Sequence, residues 1–254
     1  MFMYTNSGLV RHAKKALKLK TKYMWGGILR SITKTYVQQV SSIPRYKSQY
    51  PQSRINILNS VVGKGYYGVD CVGLIKSYYW SGNSSGGTGS KDYKASTDVN
   101  AHTMFANAKV KGKIDTLPEV PGLVLYCKTY PHVGVYIGNG EVIESTLSSR
   151  GDGVVQTKLT DFKWEYWMEC PYITYSNTHT VYKTTQRTLM FGAALRAGPT
   201  PESEKITVIK PDTNVLMYIG SEKEYKGPDK RTYIYVRVKY NQSIGWIVKS
   251  SLKE

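Results

Sequence analysis

The chain has 254 residues, 41% of them hydrophobic, which is enough to bury a sizeable core and favours two domains over one. Its net charge is +17: residues 1–180 hold 22 Lys and Arg against 11 Asp and Glu, and residues 181–254 hold 13 against 7. The spread excess favours polyanionic partners. No apolar run approaches the roughly 18 residues of a membrane span, no nucleic-acid-binding motif is visible, and three cysteines cannot all pair into a disulfide framework.

The start, M-F-M-Y-T-N-S-G-L-V-R-H-A-K-K, lacks the apolar segment of a secretory leader. Asn6 or Ser7 is expected to cap a helix to about Lys20, with Leu9, Val10, Ala13 and Leu17 opposite Arg11, Lys14, Lys15 and Lys18. This narrow apolar stripe predicts packing on the domain rather than on a membrane, and His12 is expected to be solvated.

Cys71 follows Asp70 in Y-Y-G-V-D-C-V-G-L-I-K-S-Y-Y-W, where a Gly-containing approach gives way to apolar residues at helical spacing. The sulfur then falls in the first turn of a helix, where free N–H groups and the helix dipole favour a thiolate. Ser81 to Lys91 reads as a Gly/Ser loop without a phosphate-binding G-K-[ST] step. A short helix is expected from Thr97 to about Ala108, starting at Thr97 or Asp98, with His102 structural. Cys127 and Cys170 have no partner at zinc-like spacing and read as buried thiols.

His132 opens H-V-G-V-Y-I-G-N-G-E-V-I-E, two alternating strands around Gly138-Asn139-Gly140, and Glu144 lies twelve positions further on. A thiol, an imidazole and a carboxylate are the parts of a nucleophile, its base and the group that orients the base. A two-residue Asn139-Gly140 turn pairs Glu144 with Val135 and sends the two side chains to opposite faces. A three-residue loop pairs Glu144 with Gly134 and His132 with Thr146, which makes His132 and Glu144 diagonal neighbours on one face. The second register is the expectation, since only it makes the carboxylate useful. On chemistry alone, zinc ligation by the same three residues also stays open.

These segments together resemble the NlpC family of papain-like cysteine peptidases, which act on bacterial cell-wall peptides. Tyr23-Met24-Trp25-Gly26-Gly27 is similar to the family's Y-x-W-G-G, and Asp70-Cys71-Val72-Gly73-Leu74 to its D-C-S-G-L. Pro121-Gly122-Leu123-Val124-Leu125 is similar to its P-G-D-L-V strand, and His132 to Gly140 to its H-V-G-I-Y-I-G-N-G hairpin. The resemblance implies an α+β fold over residues 1–175, with Cys71 as nucleophile, His132 as base and Glu144 as third member. It implies no metal and no cofactor, with Tyr23 and Asp70 at the substrate. Glu144 stands where the family usually has a second His. Val72 replaces a Ser that helps hold a free peptide amine in some members, which leaves room for peptide still attached to glycan. Residues 28–69 are longer than the usual connection and are expected to wall the cleft.

Residues 176–185 are polar and Thr-rich and read as a linker. Beyond them, A-L-R-A-G-P, K-I-T-V-I, N-V-L-M-Y-I, Y-I-Y-V-R-V-K-Y and I-G-W-I-V-K-S-S-L are short alternating strands, the pattern of a small β-barrel. Residues 186–254 resemble the bacterial SH3-like domain, through L-R-A-G-P and G-W-I-V-K-S-S-L. That likeness implies cell-wall binding, with Tyr218, Tyr233, Tyr235 and Trp246 as aromatic candidates and peptidoglycan, with wall teichoic acid, as partners. The combined expectation is an endolysin-like peptidoglycan hydrolase, made in the cytoplasm without a leader and reaching the wall at lysis. Two rivals are an N-acetylmuramoyl-L-alanine amidase with the same triad and a non-enzymatic wall-binding phage structural protein.

Overall fold

The structure is a computed structural model that describes residues 4–81, 90–175, 184–241 and 243–253. In chain order it begins with helix α1 (Asn6–Ala16), strands β1 (Thr21–Tyr23) and β2 (Ile28–Ser31), helices α2 (Lys34–Ser41) and α3 (Gln52–Ser60), and strand β3 (Tyr67–Val69). Helices α4 (Cys71–Tyr79) and α5 (Ala101–Asn107) and strand β4 (Lys111–Lys113) follow. Next come β5 (Val124–Cys127), β6 (His132–Gly138), β7 (Glu141–Ser148), β8 (Gly151–Lys158) and β9 (Tyr166–Met168). The last strands are β10 (Thr184–Thr188), β11 (Ala193–Arg196), β12 (Lys205–Ile209), β13 (Asn214–Tyr218), β14 (Lys223–Lys226), β15 (Thr232–Tyr240) and β16 (Ser243–Val248).

The fold is α+β, with a six-stranded antiparallel sheet ordered β4-β9-β5-β6-β7-β8 and a small sheet ordered β1-β3-β2. Period-2 alternation in the large sheet supplies two cores. Val124, Tyr126, Val133, Val135 and Ile143 pack with α1 and α4, while Leu125, Cys127, Tyr136 and Val142 pack on the other face with Trp164 and Trp167. Helix α4 is buried along its whole length, so its sequence is apolar on nearly every side. Gly73 is required there, because a Cβ would meet the Gly27 carbonyl oxygen at 1.8 Å.

Helix α1 departs from expectation at both ends and on one face. Thr5, not Asn6 or Ser7, is the cap, its Oγ1 accepting from the Gly8 N–H at 3.1 Å. The helix stops at Ala16 because Lys18 and Leu19 already bond three residues back, and the chain then enters β1. His12 is fully buried, not solvated. It sits three residues after Leu9, inside the face that meets α4, and bonds Ser77 Oγ at 2.8 Å. Burial lowers it to about 4. The α5 region also starts later than expected: Ala95–Thr97 is a separate 3-10 turn, and Asn100 caps α5 through the Thr103 N–H at 2.8 Å.

The C-terminal strands form one antiparallel sheet, ordered β10-β13-β15-β16-β11-β12 with β14 on β15. Among the described residues its edge strands β10 and β12 do not pair, so the expected barrel is not closed. Thr184 and Thr185, read as linker, belong to β10 and pair with β13. The rest of that linker reading, at 176–183, and most of the Gly/Ser loop, at 82–89, lie outside the described residues.

This sheet packs directly on the large one. Tyr218 and Ile244 join the cluster of Leu117, Leu123, Tyr136 and Val142. Lys239 Nζ donates to the Ile114 carbonyl oxygen at 2.8 Å, and Arg237 pairs with Glu119 at 2.6 Å with both side chains nearly buried. Glu119 also accepts from the Tyr136 hydroxyl and, at 2.8 Å, from the Asn139 N–H.

Candidate active site

The nucleophile candidate is placed by its cap. Asp70 Oδ1 accepts from the Gly73 N–H at 2.5 Å, closing the first turn of α4, and Oδ2 accepts from the Gly26 N–H at 2.7 Å. Asp70, expected at the substrate, therefore has a structural duty: it fastens the loop after β1 to the start of α4. Cys71 is the first residue of that helix.

The hairpin resolves its register in an unexpected way. Asn139 and Gly140 both have positive φ, 57° and 73°, and Gly138 pairs with Glu141 across them, so the tip is a two-residue turn. The register shifts between Tyr136 and Gly138, however, and Glu144 ends opposite Gly134. A bulge at Ile137 supplies the extra residue that the three-residue loop was expected to supply. The two side chains consequently meet, with His132 Nε2 2.5 Å from Glu144 Oε2.

Glu144 is fully buried and has four donors. Besides His132, these are Arg150 Nε at 3.1 Å, Arg150 Nη2 at 3.2 Å and Thr157 Oγ1 at 2.9 Å. Burial pushes its carboxyl up, but the hydrogen bonds and charges of His132 and Arg150 outweigh burial and hold it below the usual range. For His132, burial alone works against protonation. Hydrogen bonds and charge from Cys71 and Glu144 reverse the sign and raise it to about 9. With Nε2 on the carboxylate, Nδ1 is the nitrogen left for the sulfur. The ring is stacked on Trp164 at 5.5 Å and 19°, and Phe162 meets it edge-on.

Tyr23 hydroxyl lies 3.8 Å from Cys71 Sγ and within reach of the Cys71 backbone N–H. Burial, followed by the neighbouring Cys71 and Asp70 charges, pushes that phenol up, so it is a proton donor at working pH. Tyr23, Asp70 and Cys71 open on a cavity of about 510 Å³. Trp25, Arg45 and Tyr46 form one wall, so the 28–69 segment does contribute to the cleft. The other side holds His102, whose Nδ1 is 3.3 Å from the Tyr126 hydroxyl, and the Lys76–Asp98 ion pair.

Among the described residues no group of three His, Cys, Asp or Glu is arranged for a metal. Glu144 binds the imidazole nitrogen away from Cys71, so the three side chains form a line rather than surround a point. Cys127 and Cys170 are buried free thiols, and burial pushes Cys170 up to about 12.

Three of the four aromatic candidates of the C-terminal region are buried. Tyr218 is 2% exposed and donates to the Leu117 carbonyl oxygen at 3.2 Å, so it is a docking residue between the sheets. Tyr235 is buried, and Trp246 is buried with the Arg237 guanidinium 5.6 Å over its ring. Tyr233 is half-buried and lines a cavity of about 800 Å³ with Arg187, Met190 and Lys249. Alternation of aromatic residues marked these strands but not which face the neighbouring sheet would cover.

Arg150, Thr157 and Trp164 escaped sequence reading. Arg150, in the S-S-R-G-D-G turn only six residues after Glu144, was the one with a local signal.

No family model matches the chain, and no curated protein matches it. Among solved structures, NlpC2 from Trichomonas vaginalis is 15% identical, over 57% of this chain and 47% of that one, with a TM-score of 0.21. The chain thus spans about half the length of that structure. The crystal structure of Ly7917 is 10% identical over 96% of this chain and 92% of that one, with a TM-score of 0.28. A second Ly7917 structure, with the hydrolyzing product of MDP, gives the same values. At such scores neither likeness carries any part of the functional argument.

Proposed function

We propose that the chain is a peptidoglycan hydrolase that cleaves an amide of the cell-wall stem peptide by Cys-His-Glu covalent catalysis. The observation that supports this best is the line Cys71–His132–Glu144, with a nucleophile at a helix start and a base whose far nitrogen is held by a buried carboxylate.

In this reading His132 Nδ1 takes the Cys71 proton, and the thiolate attacks the scissile carbonyl carbon. The tetrahedral oxyanion is met by the Cys71 backbone N–H and the Tyr23 hydroxyl. His132 then protonates the leaving amine, the C–N bond breaks, and a thioester remains on Cys71. Water, deprotonated by His132, releases the acid product and the thiol. Glu144 stays ionised throughout and fixes the imidazole tautomer.

The chain's net charge of +17 suits a wall carrying carboxylates and teichoic acid. Residues 186–254 act as the SH3-like wall-binding part and residues 1–175 as the catalytic part, with export at lysis through a separate pore. The test is mass spectrometry of purified walls after digestion. New peptide amino termini within the stem support the peptidase, release of intact stem peptide from muramic acid supports the amidase, and unchanged walls overturn both.

A further inference from the structure

Tyr23 is gripped from behind by charges that no step of this reaction uses. Asp152, on β8, accepts from the Tyr23 backbone N–H at 2.9 Å. The same carboxylate takes both terminal nitrogens of Arg54, at 2.9 and 2.7 Å, and Lys22 Nζ at 3.0 Å. Arg54 Nη2 also donates to the Tyr23 carbonyl oxygen. One ion pair therefore holds both backbone polar groups of the residue whose hydroxyl faces the sulfur.

This arrangement is an expensive way to hold a strand. Arg54 is 5% exposed, and its Nε is buried without a hydrogen-bond partner. Taking the guanidinium out of water costs several kcal/mol, while Asp152 keeps 23% of its side chain exposed, and apolar replacements of buried pairs are often equally stable. Strand β1 already has its register from β3, with Tyr23 opposite Val69. What the fork adds is orientation, because a planar guanidinium on a carboxylate admits few geometries.

Arg54 lies on α3, inside the long segment between the Tyr23 and Cys71 motifs. Other side chains of that segment grip the same loop. The Tyr50 hydroxyl donates to the Trp25 carbonyl oxygen at 2.6 Å, and the Tyr36 hydroxyl accepts from the Ile28 N–H at 3.1 Å. Trp25 in turn meets the Tyr23 ring edge-on at 4.9 Å.

We infer that Arg54 and Asp152 are positioning residues, which hold the Tyr23 hydroxyl against the Cys71 thiolate and so couple the inserted segment to the nucleophile. The inference rests on the assignment of Cys71 as nucleophile but not on the identity of the substrate. Its test reads the thiol directly, as the second-order rate constant for alkylation by iodoacetamide at neutral pH, with Cys71→Ala as the blank. Tyr23→Phe is expected to lower that constant about ten-fold, the scale of one hydrogen bond to a charged group. Arg54→Lys, which keeps the charge but not the fork, and Asp152→Asn are each expected to lower it several-fold alone. Neither is expected to lower it further in combination with Tyr23→Phe.

On wall substrate the single variants should lose kcat with KM little changed. Effects that multiply in the double variants overturn the inference. So does an unchanged alkylation constant in both Arg54→Lys and Asp152→Asn, measured below their melting temperatures. Non-additive alkylation supports the clamp even in a protein that releases nothing from walls, a result that counts against the hydrolase reading alone.

Discussion

One hairpin carries two buried carboxylate clusters on the same face, four residues apart along β6. At its base, Glu144 holds His132, Arg150 and Thr157; near its tip, Glu119 holds Tyr136, Arg237 and the Asn139 N–H. Both are Arg–carboxylate groups in a dry setting. The difference is in what faces outward. His132 has a second nitrogen directed to a thiol at the cleft, whereas the partners at Glu119 end in protein on every side named. A buried Arg-paired carboxylate is thus no mark of catalysis by itself; the proposed role of Glu144 rests on the open chain from it through His132 to the Cys71 thiol.

The largest effect expected at the base is that of Cys71→Ala, which should reduce release of wall fragments by about a thousand-fold or more, as loss of a covalent nucleophile does. Sedimentation with purified walls should be unchanged. Hydrolysis at the wild-type rate would remove the contrast between the two clusters.

Glu144→Gln should lower kcat by roughly ten- to a hundred-fold while sparing wall binding, since it keeps the shape but loses the charge that stabilises the imidazolium. Glu144→Ala should do worse, because nothing then orients the ring. At the other cluster, Glu119→Gln leaves Arg237 buried without its counter-charge and should cost about 3–5 kcal/mol in denaturant unfolding. Its kcat should stay near wild type wherever the protein remains folded. Equal losses of kcat at the two carboxylates would show that docking of the C-terminal sheet, not the triad alone, sets the activity.

The pH profile sharpens the same contrast. His132 is raised to about 9, so its charged pair with Glu144 contributes stability fully below its ordinary value of 6.5 and loses it as pH rises through about 9. Turnover should fall on the same alkaline limb, as the imidazolium loses its proton. Glu144 works in the opposite direction: its depressed carboxyl contributes above its ordinary 4.5 and is lost in acid, as pH falls through its lowered value. The smallest expected effect lies away from both clusters. His12 is lowered to about 4, so the unfolded chain binds the proton first and stability falls as pH drops from 6.5 toward 4. His12→Gln should flatten that part of the stability curve, read by thermal melts across the range, and leave the alkaline limb alone.

The sequence by itself determined the local elements and their chemistry. Asp70 before Cys71, with Gly73 two positions later, specifies a capped helix start that tolerates a close backbone crossing, and the even-numbered polar positions of the hairpin specify one face. These are short-range facts of period, cap and turn, which a single strand of letters carries. Tertiary structure decided the rest. Whether Glu144 met His132 depended on a bulge at Ile137 that works together with a two-residue turn, and the letters Gly138-Asn139-Gly140 suit either loop. His12 looked solvated because only the packing of α1 between α4 and β6–β7 closes over it. Tyr218, Tyr235 and Trp246 were legible as strand aromatics, but their burial is tertiary: Tyr218 meets Leu117 of the first region, and Trp246 lies under Arg237, whose partner Glu119 is more than a hundred residues away. Arg54 and Asp152 lie almost as far from each other in the chain, and no local pattern says that they converge on Tyr23.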